Sequence, residues 1–273
     1  MLNKIGWCTE TWNPIVGCQK ISDGCLNCWA YKMAQRQAGH FKFSPVPPPE
    51  ANETYAAYAL VKQWDGTTRL IRDTLDNLIC WKKPRRIAVC LMGDLFAADF
   101  ADIDEVMKVI HNATQHKYIF CTKRPLAMVE YWQSFTNDKN KIALALNNSI
   151  FLVSVENQAT TDERIPELIK LKSLDPHFRI GVSAEPILDK IDLTPYLKDL
   201  DWVIAGGETG QKARICWEKW INELYSQCKE YSVPFWFKQW GNNRRRNYGE
   251  SGDLIKEIEH CRQFERGYNE QSN

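Results

Sequence analysis

With 273 residues, 44% of them hydrophobic and 12% aromatic, the chain carries enough apolar material for one sizeable core. Its 35 basic and 34 acidic residues leave a formal net charge of +1, which excludes a global electrostatic pull toward nucleic acid or membrane; a polyanion would need a local patch. The opening "MLNKIGWCTETWN" lacks the apolar core of a signal peptide, and no apolar run approaches the roughly 20 residues that span a bilayer, so a cytosolic chain is expected.

In chain order, the first extended candidate is "TWNPIVGC", a strand that would deliver Cys18 at its carboxyl end. Next comes "GCQKISDGCLNC", with cysteines at 18, 25 and 28. A proline-rich insertion at about 40–66 contains "FSPVPPPEANET", which suits neither a helix nor a central strand. Residues 67–80, "TTRLIRDTLDNLIC", read as a helix. Six nearly continuous apolar runs follow at 85–92, 117–122, 149–155, 178–184, 201–206 and 234–240, the mark of strands buried on both faces of a parallel sheet. Helical patterns lie between them, as in "DIDEVMKVIHNATQ" and "CWEKWINELYSQCKEY". After about residue 242 a polar extension, "NNRRRNYGESGD", precedes a last helix. This βα repetition predicts one α/β domain over residues 1–273, closed as a barrel, left partly open, or doubly wound.

In parallel α/β folds chemistry collects where strands end. Here the ends run into Met92-Gly93-Asp94, Thr122-Lys123-Arg124, Ser154-Val155-Glu156-Asn157, Ser183-Ala184-Glu185, Gly206-Gly207-Glu208 and Lys238-Gln239-Trp240. Asp94, Lys123, Glu156, Glu185, Glu208 and Lys238 would share one rim, although any one of them alone reads equally well as an ordinary cap. Cys80, Cys90 and Cys121 stand singly in apolar contexts and read as packed thiols, as do the scattered Cys216, Cys228 and Cys261. The 18/25/28 triplet is polar and glycine-flanked. Three thiolates suit an iron–sulfur cubane whose last iron is open to an outside molecule; a structural zinc completed by Cys8 or His40 is the competing reading.

His111, His116 and His177 read as surface histidines. Trp12, Trp29 and Trp240 are candidate pocket walls. Arg244, Arg245 and Arg246, with Lys82, Lys83, Arg85 and Arg86, form either solvated loops or a phosphate-gripping patch.

The blocks "TWNPIVGCQKISDGCLNCWAYKMA", "WKKPRRIAVCLMGDLF", "FCTKRP", "VSVENQ", "DWVIAGGETG" and "VPFWFKQWG" resemble the phage-type radical S-adenosylmethionine (radical SAM) family. That resemblance implies a partial (β/α)6 TIM-like barrel with an additional C-terminal strand. It also implies a 4Fe-4S cluster held by Cys18, Cys25 and Cys28, with S-adenosylmethionine on the open iron. The six-residue first gap departs from the usual three. The resemblance assigns Met92, Gly93, Asp94, Lys123, Ser154, Glu156, Asn157 and Arg164 to the cofactor, Arg164 or Lys123 meeting its carboxylate. Glu185, Glu208 and Lys238 are left to catalysis or substrate. The implied partners are an external electron donor and a small or nucleotide-like substrate, with phage DNA modification the first guess. Two other functions compete: a zinc-stabilised nucleic-acid-binding protein without catalysis, and a barrel hydrolase using Glu156 and Glu185.

Overall fold

The computed structural model describes residues 5–39, 53–135, 148–245 and 252–266. Seven strands make one sheet: β1 Glu10–Trp12, β2 Arg86–Val89, β3 Lys117–Thr122, β4 Ser149–Ser154, β5 Ile180–Ala184, β6 Trp202–Gly206 and β7 Phe235–Gln239. They lie side by side in chain order and every pairing is parallel. The sheet is curled into a half-barrel. Because the order never reverses among the described strands, the doubly wound alternative is set aside.

Successive side chains on a strand point to opposite faces, and here both faces are apolar. Ile87, Val89, Phe120, Phe151, Val182 and Val203 face outward into the core beneath the helices. Ala88, Ile119, Ile150, Leu152, Ile204 and Trp236 face inward and join Trp7, Cys8 and Trp202 in a second cluster. Two buried faces explain why the strands read as unbroken apolar runs. Trp202 packs edge-on against both Trp7 and Trp236, with each pair of ring centroids 6.4 Å apart.

The helices are α1 Trp29–Gly39, α2 Glu53–Val61, α3 Asn77–Cys80, α4 Phe100–Asn112, α5 Pro125–Gln133, α6 Gln158–Leu174, α7 Glu218–Glu230 and α8 Gly252–His260. No helix among the described residues is long and apolar enough to cross a membrane. The α1–α2 pair belongs to a third apolar cluster, in which Ala30 and Ala34 meet Ala57, Tyr58 and Val61. Of the proline-rich insertion, residues 40–52 lie outside the described residues and the rest carries α2.

Two expected elements are corrected. Pro14 interrupts the first strand, so β1 stops at Trp12, and Ile15–Val16 pairs instead with Arg69–Leu70 in a small antiparallel ribbon. The helix expected over 67–80 is therefore this short strand, a 3-10 turn at Arg72–Thr74 and the single turn α3. The ribbon positions Leu70 in the main core, a tertiary demand that outweighs helical periodicity. His116 is also corrected. It is buried, with Nε2 3.0 Å from the Leu78 carbonyl oxygen, whereas His111 and His177 are exposed.

After α8 the chain runs antiparallel along β7. Phe237 N–H donates to the Cys261 carbonyl at 3.0 Å and Gln263 N–H to the Phe235 carbonyl at 3.1 Å, covering an edge that would otherwise be open. This strap brings Glu265 to Arg86, at the strand ends opposite the polar rim. Arg86 Nη1 donates to Glu265 Oε1 at 2.9 Å, Nη2 grips Oε2, and Nε donates to the Trp7 carbonyl at 2.9 Å.

Candidate functional site

The inward register of the strands changes character near their carboxyl ends. Above the apolar layer of Ile119, Leu152, Ile204 and Trp236 come Cys121, Ser154, Ser183, Gly206 and Lys238. A cavity opens over this polar layer. Its walls include Cys18, Cys25 and Cys28, the strand-end residues Gly93, Asp94 and Lys123, and also Ser154, Glu185, Glu208 and Lys238.

The cysteine loop is built from close backbone contacts. Gly17 bridges Gly93 in parallel fashion, and a Cβ on Gly93 would lie 2.6 Å from the Gly17 carbonyl oxygen, so only glycine permits the approach. Gln19 then bridges Asp65. Residues Asp23–Cys25 form a 3-10 turn, and Cys28 N–H donates to the Cys25 carbonyl at 3.3 Å. The wide first gap accommodates the Gln19–Asp65 bridge and this turn. The narrow second gap sets Cys25 and Cys28 one turn apart, immediately before α1.

Burial, reinforced by Asp94, pushes the Cys18 thiol up to about 12. Burial also raises Cys28, although the Tyr31 and Ala30 amides at the start of α1 act in the opposite direction. Both are therefore thiols until a cation arrives to draw off the proton. Cys25 acts on Cys18 and on Cys28. None of the ten cysteines is in a disulfide. Among the described residues, no group of three or more His, Cys, Asp or Glu is arranged to hold a metal ion.

Several expected placements change. Met92 turns its side chain into the α1–α2 cluster while its N–H donates to Asn13 Oδ1 at 2.9 Å. Asn157 caps α6: its Oδ1 accepts from Thr160 N–H at 3.0 Å. Arg164 is buried behind the cavity, where Nη1 donates to the Ser154 carbonyl at 2.7 Å and meets Glu156 Oε2 at 3.2 Å. These side chains are engaged with the protein itself, so they do not present themselves to a cofactor. Cys8, the candidate fourth zinc ligand, is sealed in the inner apolar cluster; His40 lies outside the described residues.

Asp94 is buried at the end of β2, accepting from Thr122 Oγ1 at 2.7 Å, Phe96 N–H at 3.1 Å and Lys123 N–H at 3.2 Å. Burial raises its carboxyl against the pull of these donors. Burial would likewise raise Glu156, but Lys123, Ser22 and Arg164 outweigh it and hold the carboxyl below its usual value. Glu208 follows the same pattern, with Arg214 and Asn27 overcoming burial.

Sequence reasoning missed Arg124 and Cys121. Arg124 lines the cavity, donates from Nη2 to the Gln19 carbonyl at 3.3 Å, and has a buried Nε without a hydrogen-bond partner among the described residues. Cys121 lines the same cavity from β3, but its electrostatic neighbours are Glu185, Lys123 and Ser183. The signal for Cys121 was period two: it stands two residues beyond the inward Ile119. Of the tryptophans, Trp29, Trp7 and Trp64 line the cavity. Trp12 is in the outer core and donates to the Thr74 carbonyl, while Trp240 donates to Glu259.

Three cations of the expected basic patch are engaged by carboxylates. Arg86 is buried on Glu265, Arg85 pairs with Glu10, and Arg244 donates to Glu218 and Glu259. Arg246 lies outside the described residues.

Fold and site together define an α/β half-barrel with a cysteine-bearing loop over a polar cavity at the strand ends. The chain belongs to the family described as protein of unknown function (DUF5131), whose family model matches residues 2–267. The radical SAM resemblance is thereby corrected, since no model of that family matches. No curated protein and no solved structure matches the chain.

Proposed function

We propose that Cys18, Cys25 and Cys28 hold a 4Fe-4S cluster and that the protein uses it to cleave S-adenosylmethionine, acting on a small or nucleotide-like substrate in the cytosol. The observation that carries this reading is that three cysteines from one loop face one strand-end cavity together with two cations, Lys123 and Arg124. A cubane holds its thiolates on separate corners, so it asks for sulfurs around a space instead of convergence on a point. When bound, such a cluster would pass one electron to the sulfonium, breaking its sulfur–carbon bond so that methionine leaves and 5′-deoxyadenosine forms after hydrogen transfer from substrate.

This chain's own residues supply the rest. Arg124, which lines the cavity beside Cys18, is the better cation for the ligand's carboxylate than Arg164, which is buried and does not line it. Gly93 brings backbone to the cavity without a side chain, and Asp94 supplies the nearby acid. Glu185 and Lys238, paired at 3.0 Å, face the remaining space as substrate contacts. The apolar layer around Trp202 and Trp236 keeps the cavity floor dry. The curled sheet is read here as a partial (β/α)6 barrel with β7 as its additional C-terminal strand. An electron must come from an external donor.

The test is anaerobic reconstitution with iron and sulfide, followed by S-adenosylmethionine and a strong reductant. Cluster-dependent formation of 5′-deoxyadenosine, changed by nucleoside substrates, is the expected result. Protein that binds a single zinc and forms no 5′-deoxyadenosine would overturn the reading.

A further inference from the structure

Two of the strand-end carboxylates expected to serve cofactor or substrate are already engaged within the protein, and each takes one side-chain hydrogen bond from the cysteine loop. Glu156, at the end of β4 and completely buried, accepts from Ser22 Oγ at 2.6 Å. Lys123 meets the same oxygen and Arg164 the other oxygen of that carboxylate. The loop also rests on it directly: a Cβ on Gly24 would lie 2.4 Å from Glu156 Oε1. Glu208, beyond β6, accepts from Asn27 Nδ2 at 3.0 Å on Oε2. The same oxygen takes Arg214 N–H at 2.9 Å and Nε at 3.0 Å, and Oε1 takes Nη2 at 2.6 Å. Asn27 Nδ2 donates in addition to the Lys212 carbonyl at 2.9 Å.

We infer that Glu156 and Glu208 are positioning residues that clamp the cysteine loop from two sides and fix the spacing of its thiols before a cluster is bound. The inference rests on the cluster reading above. Ser22 stands three residues before Cys25 and Asn27 lies between Cys25 and Cys28, so the two clamps flank Cys25 and the second adjoins Cys28. Each carboxylate keeps an arginine beside it, which balances its charge; for Glu156 and Arg164 this happens with both side chains buried. With four donors on Glu208, it has little capacity left to act as an acid or base. A loop ordered in advance has less freedom to lose on taking up metal, and outer partners of ligands commonly set metal affinity by about 10–100-fold.

The decisive comparison uses the full chain as wild type, Ser22→Ala, Asn27→Ala and Glu208→Gln, each reconstituted anaerobically with iron and sulfide. Three quantities are read: the rate of iron loss to a ferrous chelator, the electron paramagnetic resonance spectrum of the reduced cluster, and the urea midpoint of the metal-free protein. Expected are a loaded wild type and loss of iron about 10–100-fold faster from Asn27→Ala and Glu208→Gln, with an altered spectrum. The metal-free urea midpoint of Asn27→Ala should fall only slightly, too little for a less stable fold to account for the faster iron loss. Should Glu208→Gln fail to fold, Asn27→Ala decides alone, because it leaves Glu208 on Arg214. A loaded wild type whose variants release iron at the wild-type rate overturns the clamp and leaves the cluster standing; a wild type that takes up no four-iron cluster overturns both.

Discussion

Lys238 Nζ lies 3.0 Å from Glu185 Oε1, joining the ends of β7 and β5 across Gly206 of β6. A Cβ on Gly206 would come within 3.0 Å of the same carboxylate oxygen, so the absent side chain is what lets the pair meet. Both partners line the cavity and neither touches the cysteine loop's clamps. Lys238→Met should therefore leave cluster loading intact while abolishing the dependence of 5′-deoxyadenosine formation on substrate. Iron content and 5′-deoxyadenosine yield, measured with and without nucleosides, check this. Loss of the cluster in the variant would assign Lys238 to the cofactor instead.

The buried pair at the opposite end of the sheet makes a prediction about stability. Arg86 is bidentate to Glu265, and both side chains are at most 2% exposed. Removing one partner strands a charge away from water, so Glu265→Ala should cost about 3–5 kcal/mol. Urea denaturation of the metal-free protein measures it. A loss under about 1 kcal/mol, as for an exposed pair, would contradict the placement.

Gly24 tests the loop's seat on Glu156. Its Cβ would overlap a carboxylate already fixed by Ser22, Lys123 and Arg164. Gly24→Ala is expected to displace the loop, with a cost of about 1–3 kcal/mol from overpacking and reduced iron retention. Gly66→Ala is a useful contrast, since nothing lies closer than 3.9 Å to its Cβ position and any effect comes from its φ of +104°. Thermal unfolding and iron content of the two variants provide the comparison.

Acid should loosen the same loop. Glu156 and Glu208 are held below the ordinary glutamate value of 4.5, so the unfolded chain takes up their protons first as pH falls. The stability they contribute is present above that value and lost as pH drops through their lower, folded values. Glu208→Gln should flatten the fall in the urea midpoint of the metal-free protein below about pH 4.5. An unchanged slope would mean that Glu208 does not titrate with folding.

How much was legible in the sequence depended on how local the cause was. The last six sheet strands could be found because two apolar faces produce continuous runs, and all six lie within a few residues of their expected bounds. The ribbon of Ile15–Val16 with Arg69–Leu70 could not, because its partners are joined only in the fold. Strand-end carboxylates were visible at 156 and 208, but their partners Ser22 and Asn27 lie 134 and 181 residues away. Arg86 was read with the surface cations for the same reason; Glu265 is 179 residues distant. Arg164 shows the opposite error, a nearby arginine that folds back onto its own strand end.

Three thiols around the cavity are proposed to hold a four-iron cluster that reduces a sulfonium ligand. The most direct test of that proposal is iron and sulfide content, together with 5′-deoxyadenosine formation, in anaerobically reconstituted wild type, Cys25→Ala and Cys228→Ala, the last altering a thiol buried in the outer core. Wild type and Cys228→Ala should each carry about four irons and form measurable 5′-deoxyadenosine, with both lost in Cys25→Ala. Equal iron in all three proteins, or a loaded wild type that forms no 5′-deoxyadenosine, would contradict the proposal.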